Sequence, residues 1–215
     1  AREMTRRAQR ICARQASTRD VRIRWSGTFH AIANRLLRLH APALGLDPAF
    51  TLLDRGDAAD ALDLLRDARG LARRSTRFPR KATCLAIYSH AVNAQRPLEQ
   101  VLHDHFPWCE NWAGELRGLF AAYVDEKQRR HVLDYDDLLL GWYHAMSEPE
   151  LARQLRERFD HVLVDEYQDT NALQVGILRG LRPDGRGLSV VGDDAQAIYG
   201  FRAAEPRNLL AFPAL

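Results

Sequence analysis

His161-Val162-Leu163-Val164-Asp165-Glu166 is a short apolar run that breaks off at two acids, and Leu188-Ser189-Val190-Val191-Gly192-Asp193 repeats the arrangement further along. Short continuous apolar runs of this kind read as buried strands. Between them Leu173 to Leu181 reads as a helix and Pro183 to Gly187 as a turn. Strand, helix, strand with short apolar strands predicts a parallel sheet with helical crossovers, an α/β arrangement. In such sheets ligands bind beyond the carboxyl ends of the strands, where both acidic clusters sit.

Phosphoryl transfer to water asks two things of acidic groups near the terminal phosphate. One carboxylate must hold magnesium, usually through water, and another must orient or deprotonate the attacking water. Asp165, first after the strand, suits the magnesium role, and Glu166 suits the general-base role. Taken by itself the same pair also reads as a solvated loop start.

Upstream, Ala1 to Gln15 is helical in composition, and Val21, Ile23 and Trp25 alternate with Arg22 and Arg24 in the period-two pattern of a short half-buried strand. A turn at Ser26-Gly27 follows. Thr28 then caps a helix carrying Phe29, Ile32, Ala33, Leu36 and Leu37 on one face. From Leu46 to Arg130 the pattern is helical throughout, with no strand candidate. Asp57 reads as a cap, and Pro79 and Pro97 as first-turn prolines. Leu116, Leu119, Phe120, Tyr123 and Val124 form the apolar stripe of the last of these helices. The stretch looks like a helical subdomain inserted into a mixed chain.

Composition fits this picture. The 215 residues are 46% hydrophobic and 27% charged, the range of a packed globular protein. The formal charge is only +3, yet Arg2, Arg6, Arg7, Arg10, Arg14, Arg19, Arg22 and Arg24 crowd the start. That excess suits a polyanion, and equally a solvated helix face. Cys12, Cys84 and Cys109 lie far apart without a CxxC pair, which argues against a disulfide framework and a cysteine-based zinc site. His103, His105 and Cys109 lack a fourth ligand at suitable spacing for a metal site, and the two histidines read as loop or surface residues. No apolar run approaches a membrane span, so a cytoplasmic location is expected.

Asp165-Glu166-Tyr167-Gln168-Asp169-Thr170-Asn171, with Gln174 one turn on, resembles the Walker B motif of the UvrD/Rep/PcrA family of superfamily 1 helicases. Val190-Val191-Gly192-Asp193-Asp194-Ala195-Gln196-Ala197-Ile198-Tyr199-Gly200-Phe201-Arg202 is similar to the family's motif III in order and spacing. It departs at Ala195, Ala197 and Ala203, where many members carry Asp, Ser and Gly. Ala1-Arg2-Glu3-Met4 resembles the tail of motif Ia, and Thr28-Phe29-His30 the TFH motif. Leu133-Asp134-Tyr135-Asp136-Asp137-Leu138-Leu139 resembles the family's D-[FY]-D-D-L element.

The resemblance implies part of a RecA-like P-loop NTPase domain with an inserted all-helical subdomain, divided as residues 1–45, 46–131 and 132–215. It implies ATP and magnesium as cofactors, with hydrolysis driving 3′-to-5′ translocation on single-stranded DNA and unwinding at duplex junctions. Gln196 would sense the terminal phosphate. Thr28, Phe29, His30 and Arg202 would touch the DNA or organise that surface. Tyr135, Tyr199 and Phe201 would offer faces on which unpaired bases stack. Without that context the aromatics also read as packing at a sheet-to-helix junction. The chain holds no GxxxxGK[ST] phosphate loop, so it is expected to be a piece of a longer motor whose other helicase domains are its partners. Two alternatives stay open, a non-catalytic single-stranded-DNA-binding module and part of a RecB-like helicase-nuclease.

Overall fold

The computed structural model describes residues 6–7, 10, 23–73, 78–196, 204, 208–209 and 212. Along the described chain the elements are α1 (Phe29–Leu39), β1 (Thr51–Leu52), α2 (Arg55–Ala68), α3 (Lys81–Ala94), α4 (Leu98–His105) and α5 (Ala113–Arg129). Then come β2 (Val132–Leu133), α6 (Tyr135–Ala145), α7 (Pro149–Glu157), β3 (Val162–Val164), α8 (Ala172–Leu181) and β4 (Leu188–Val190). The fold is mostly helical, with two small parallel sheets.

Side-chain caps fix several of the helix starts. The Thr28 hydroxyl accepts the Ala31 N–H at 3.2 Å and starts α1. Asp54 with Asp57, Asp134 with Asp137, and Asn171 with Gln174 form capping boxes at α2, α6 and α8, each pair exchanging side-chain and backbone bonds. The cap of α2 is therefore Asp54, and Asp57 is its third-position partner rather than the cap. Pro79 precedes Arg80, the cap of α3, and Pro97 is itself the cap of α4, so neither proline lies in a first turn.

β3 and β4 pair in parallel, Val162 opposite Leu188 and Val164 opposite Val190, with α8 as the crossover. That is the predicted strand, helix, strand unit. α8 lays Val175 and Leu178 on Val164 and Tyr167 to make a small core. Alternate strand residues face opposite sides. Leu163 is accordingly 72% exposed and Val191 66% exposed. The strands, expected to be buried on both faces, are covered here on one.

Two sequence expectations fail upstream. Ile23 and Trp25 do not form a strand; Trp25 instead packs edge-on to Phe159 with Arg35 over its ring at 3.9 Å. Val21, Arg22 and most of the expected first helix lie outside the described residues. The stretch thought to lack strands contains β1, which pairs in parallel with β2 across the whole run of α2 to α5. Two residues are too short to show an alternation, which is why periodicity missed it. The pair zips the two ends of the helical stretch together, Leu53 N–H donating to the Leu133 carbonyl at 2.8 Å.

Two larger cores follow. Leu36 and Leu37 of α1, Leu139 and Trp142 of α6, Leu155 of α7 and Ile177 of α8 make one. α8 lies close to α6 because Gly176 has no side chain; a Cβ there would fall 2.5 Å from the Tyr143 ring. The other is built from α2 to α5, with Leu62, Ile87, Leu102, Leu116, Leu119 and Tyr123 fully buried. Cys109 belongs to this core, and burial raises its pKa.

A buried charge cluster joins that core to α6. Lys127 of α5 is 3% exposed and binds Asp134 at 2.7 Å and Asp137 at 2.6 Å. Tyr123 donates to Asp134 at 2.9 Å, and Lys127 reaches the Tyr88 hydroxyl at 3.2 Å. Burial works against the ammonium charge, but Asp134 and Asp137 outweigh it and raise the Lys127 pKa.

Candidate functional site

The first half of the site stands at the ends of β3 and β4. Asp165 follows the last strand residue and is exposed; Glu166 then adopts a left-handed backbone, φ 55°, which turns the chain sharply into a short 3-10 turn, Tyr167–Asp169. A non-glycine residue in that region carries a cost of order 1–3 kcal/mol and persists where its surroundings hold it. Here the neighbouring strand does so: Tyr167 N–H donates to the Val191 carbonyl at 2.9 Å, and Val191 N–H to the Val164 carbonyl at 2.8 Å.

Gln168, 1% exposed, ties the two strand ends together. Its Nε2 donates to Glu166 Oε2 at 2.7 Å, and its Oε1 accepts the Asp193 N–H at 3.0 Å. An amide can do both at once, where a carboxylate or an alkyl group cannot. Asp193 in turn accepts the Ala195 N–H at 3.0 Å and Gln196 Nε2 at 2.7 Å. Asp165, Glu166 and Gln196 are thus gathered on one edge of the sheet, linked through a buried glutamine. Sequence reasoning gave Gln168 no role; its spacing of two from Glu166, inside the turn, was the available signal.

The clamp depends on Gly192. A Cβ at that position would fall 2.6 Å from Gln168 Oε1. Gly192→Ala is expected to expel the amide, costing one or two hydrogen bonds of about 1 kcal/mol each. The check is chemical denaturation: the midpoint should fall, and an unchanged midpoint would mean that the turn admits the added methyl group without losing the clamp.

As a magnesium ligand Asp165 is suitable in kind. Oδ1 touches only the Glu166 N–H, at 3.2 Å, and the carboxylate faces solvent, which suits a cation held through its own water shell. Asp169 lies nearby with Oδ1 buried and unpartnered; burial, and then the charge of Glu166, raise its pKa. Among the described residues no three acids or histidines converge as a direct metal cage.

The second half of the site is a cleft of about 620 Å³ between α1, α2, α3, α6 and the turn after β3. His30, Asp54, Arg55, His90, Tyr135 and Gln174 are among its lining residues. Tyr135 is 45% exposed and stands edge-on to His30, ring centroids 5.6 Å apart. Burial, with His105 and Arg96 nearby, lowers the His90 pKa to about 4, so the imidazole is neutral near pH 7. Thr28 is used as the cap of α1. Phe29 turns inward, 6.1 Å from the Trp142 ring, and packs on two cores. Tyr199, Phe201 and Arg202 lie outside the described residues.

Tyr135 is presented by the three aspartates around it. Asp134 and Asp137 are held by Lys127, and Asp136 accepts from the Ser89 hydroxyl and from Asn93 Nδ2 at 2.6 Å. In the Asp134-Tyr135-Asp136-Asp137 element the acids are anchors and the aromatic is the group left facing out.

An acidic parallel-strand edge beside an aromatic-lined cleft defines the general class, a mostly helical protein with small parallel sheets and a charged site at the strand ends. The model of the UvrD/REP helicase N-terminal domain matches residues 1–214. The chain is 32% identical to DNA helicase II of Haemophilus influenzae over 98% of its length, covering 28% of that protein. It is 33% identical to DNA helicase II of Escherichia coli over 87% of its length, covering 25% of that protein. With the ATP-dependent DNA helicase PcrA of Staphylococcus aureus the identity is 29% over 99% of the chain and 28% of the relative. The chain belongs to the UvrD/REP helicase family. It spans about a quarter of the length of these curated relatives.

Proposed function

We propose that this chain is the part of an ATP-driven DNA helicase that holds the hydrolytic carboxylates and one wall of the single-strand path, in a protein that moves 3′ to 5′ and opens duplex at junctions. The observation that carries the reading is the Gln168 clamp, which sets Glu166 and the Asp193–Gln196 turn side by side at the ends of two parallel strands. In this reading β3, α8 and β4 belong to a RecA-like sheet. Residues 46–131 are its helical insertion, supported by their own core and by the β1–β2 pairing that closes them off.

Asp165 would hold magnesium through water. Bound magnesium supplies charge neutralisation on the phosphate oxygens. Glu166, turned by its left-handed backbone and fixed by Gln168, would take a proton from the attacking water. Gln196 would follow the terminal phosphate through its amide. The phosphate-gripping loop and the remaining helicase domains would come from other parts of the parent protein.

On the DNA side Tyr135 would stack an unpaired base, with His30 buttressing the ring. The test pairs two measurements on Tyr135→Ala in the full-length protein, single-strand affinity at fixed salt and the thermal midpoint. Stacking predicts an affinity loss of roughly 1–3 kcal/mol with little change in midpoint. Salt is fixed because phosphate contacts dominate affinity. Unchanged affinity with a lowered midpoint would return Tyr135 to packing.

A further inference from the structure

One buried amide touches both halves of the site. Asn93, on α3, is 9% exposed. Its Nδ2 donates to Asp136 Oδ1 at 2.6 Å and to the Ser89 carbonyl at 2.8 Å. Its Oδ1 accepts from Asn171 Nδ2 at 2.8 Å. Asp136 adjoins Tyr135 on the first turn of α6, and Asn171 is the cap of α8.

The path from Asn171 to the carboxylates is short and stiff. Asp169 N–H donates to the Glu166 carbonyl at 3.0 Å, and the Thr170 hydroxyl donates to the Tyr167 carbonyl at 2.7 Å. Asn171 itself is locked into α8 by its capping box, donating to Gln174 Oε1 and accepting the Gln174 N–H, each at 3.0 Å. A shift of Glu166 thus moves a hydrogen-bonded turn whose far end is held by Asn93.

We propose that Asn93 is a positioning residue that couples the hydrolytic turn to the stacking tyrosine, acting through Asn171 on one side and Asp136 on the other. The proposal rests on the function proposed above. The chemistry selects an amide. Asn93 must donate toward a carboxylate and accept from an amide at once, and no other side chain of that size does both in this orientation. The inserted helices thereby become part of the link between nucleotide and DNA, since α3 carries the bridge.

The experiment measures ATP turnover of the full-length protein with and without single-stranded oligodeoxythymidine, for wild type, Asn93→Ala and the double variant Asn93→Asp with Asp136→Asn. Wild type that is not stimulated by DNA would defeat the proposed function itself. Given stimulation in wild type, Asn93→Ala is expected to keep basal turnover and lose roughly 2- to 30-fold of the stimulation. The double variant exchanges carboxylate and amide across the contact with position 136, keeps an acceptor for Asn171 Nδ2, gives up the bond to the Ser89 carbonyl, and should regain part of the stimulation. Undiminished stimulation in Asn93→Ala would overturn the inference. So would a parallel fall of basal and stimulated rates, which is what a purely structural role predicts. If Asn93→Ala does not fold, the double variant decides alone: preserved stimulation supports the bridge, and a folded double variant without stimulation refutes it.

Discussion

Lys127→Ala is expected to destabilise the protein by about 3–5 kcal/mol, the range for removing one partner of a buried ion pair. Asp134 and Asp137 would remain, 4% and 16% exposed at their side chains, with no counter-charge. Burial and Asp134 already raise the Asp137 pKa with the ammonium in place. Without it, one of the two must take up a proton or water must enter. Both aspartates also make the capping box of α6, so the start of that helix and the presentation of Tyr135 loosen together. Denaturant midpoints for wild type and variant measure this directly. A variant within about 1 kcal/mol of wild type would fit a surface pair rather than a buried one.

The largest catalytic effect is expected at Glu166. Glu166→Gln preserves shape and can still accept from Gln168, but an amide cannot take a proton from water. ATP turnover in the full-length protein should fall by about 10²–10⁴-fold, the usual contribution of a general base. Nucleotide affinity should hold. Asp165→Asn should instead shift the magnesium concentration needed for half-maximal turnover. Near-normal turnover by Glu166→Gln would refute the role assigned to it.

Much of the acidic edge was legible because strand ends announce themselves: an apolar run followed by Asp165-Glu166 fixes which residues emerge at the carboxyl edge, and the parallel pairing of β3 with β4 is as the sequence pattern predicts. Gln168 was not legible as a clamp, since its partners are Glu166 and a backbone N–H just beyond another strand, 25 positions away. Asn93 and Lys127 were hidden for a related reason. A polar residue on a helix reads as solvent-facing, and only the tertiary arrangement shows that its partners are buried carboxylates. The β1–β2 pair escaped because two residues carry no period. Phe29 has a packing role that the sequence did not show: the family resemblance marks it as a DNA contact, and the described structure also sets it, half-buried, against two cores.

The most direct test of the central claim is ATP hydrolysis by the full-length protein in magnesium, with and without single-stranded DNA. An acidic strand edge and an aromatic cleft built into one hydrogen-bonded unit predict magnesium-dependent turnover that rises on adding single strands and is lost in Glu166→Gln. Turnover that ignores DNA, or a purified full-length protein that binds single strands and hydrolyses no ATP, would contradict it.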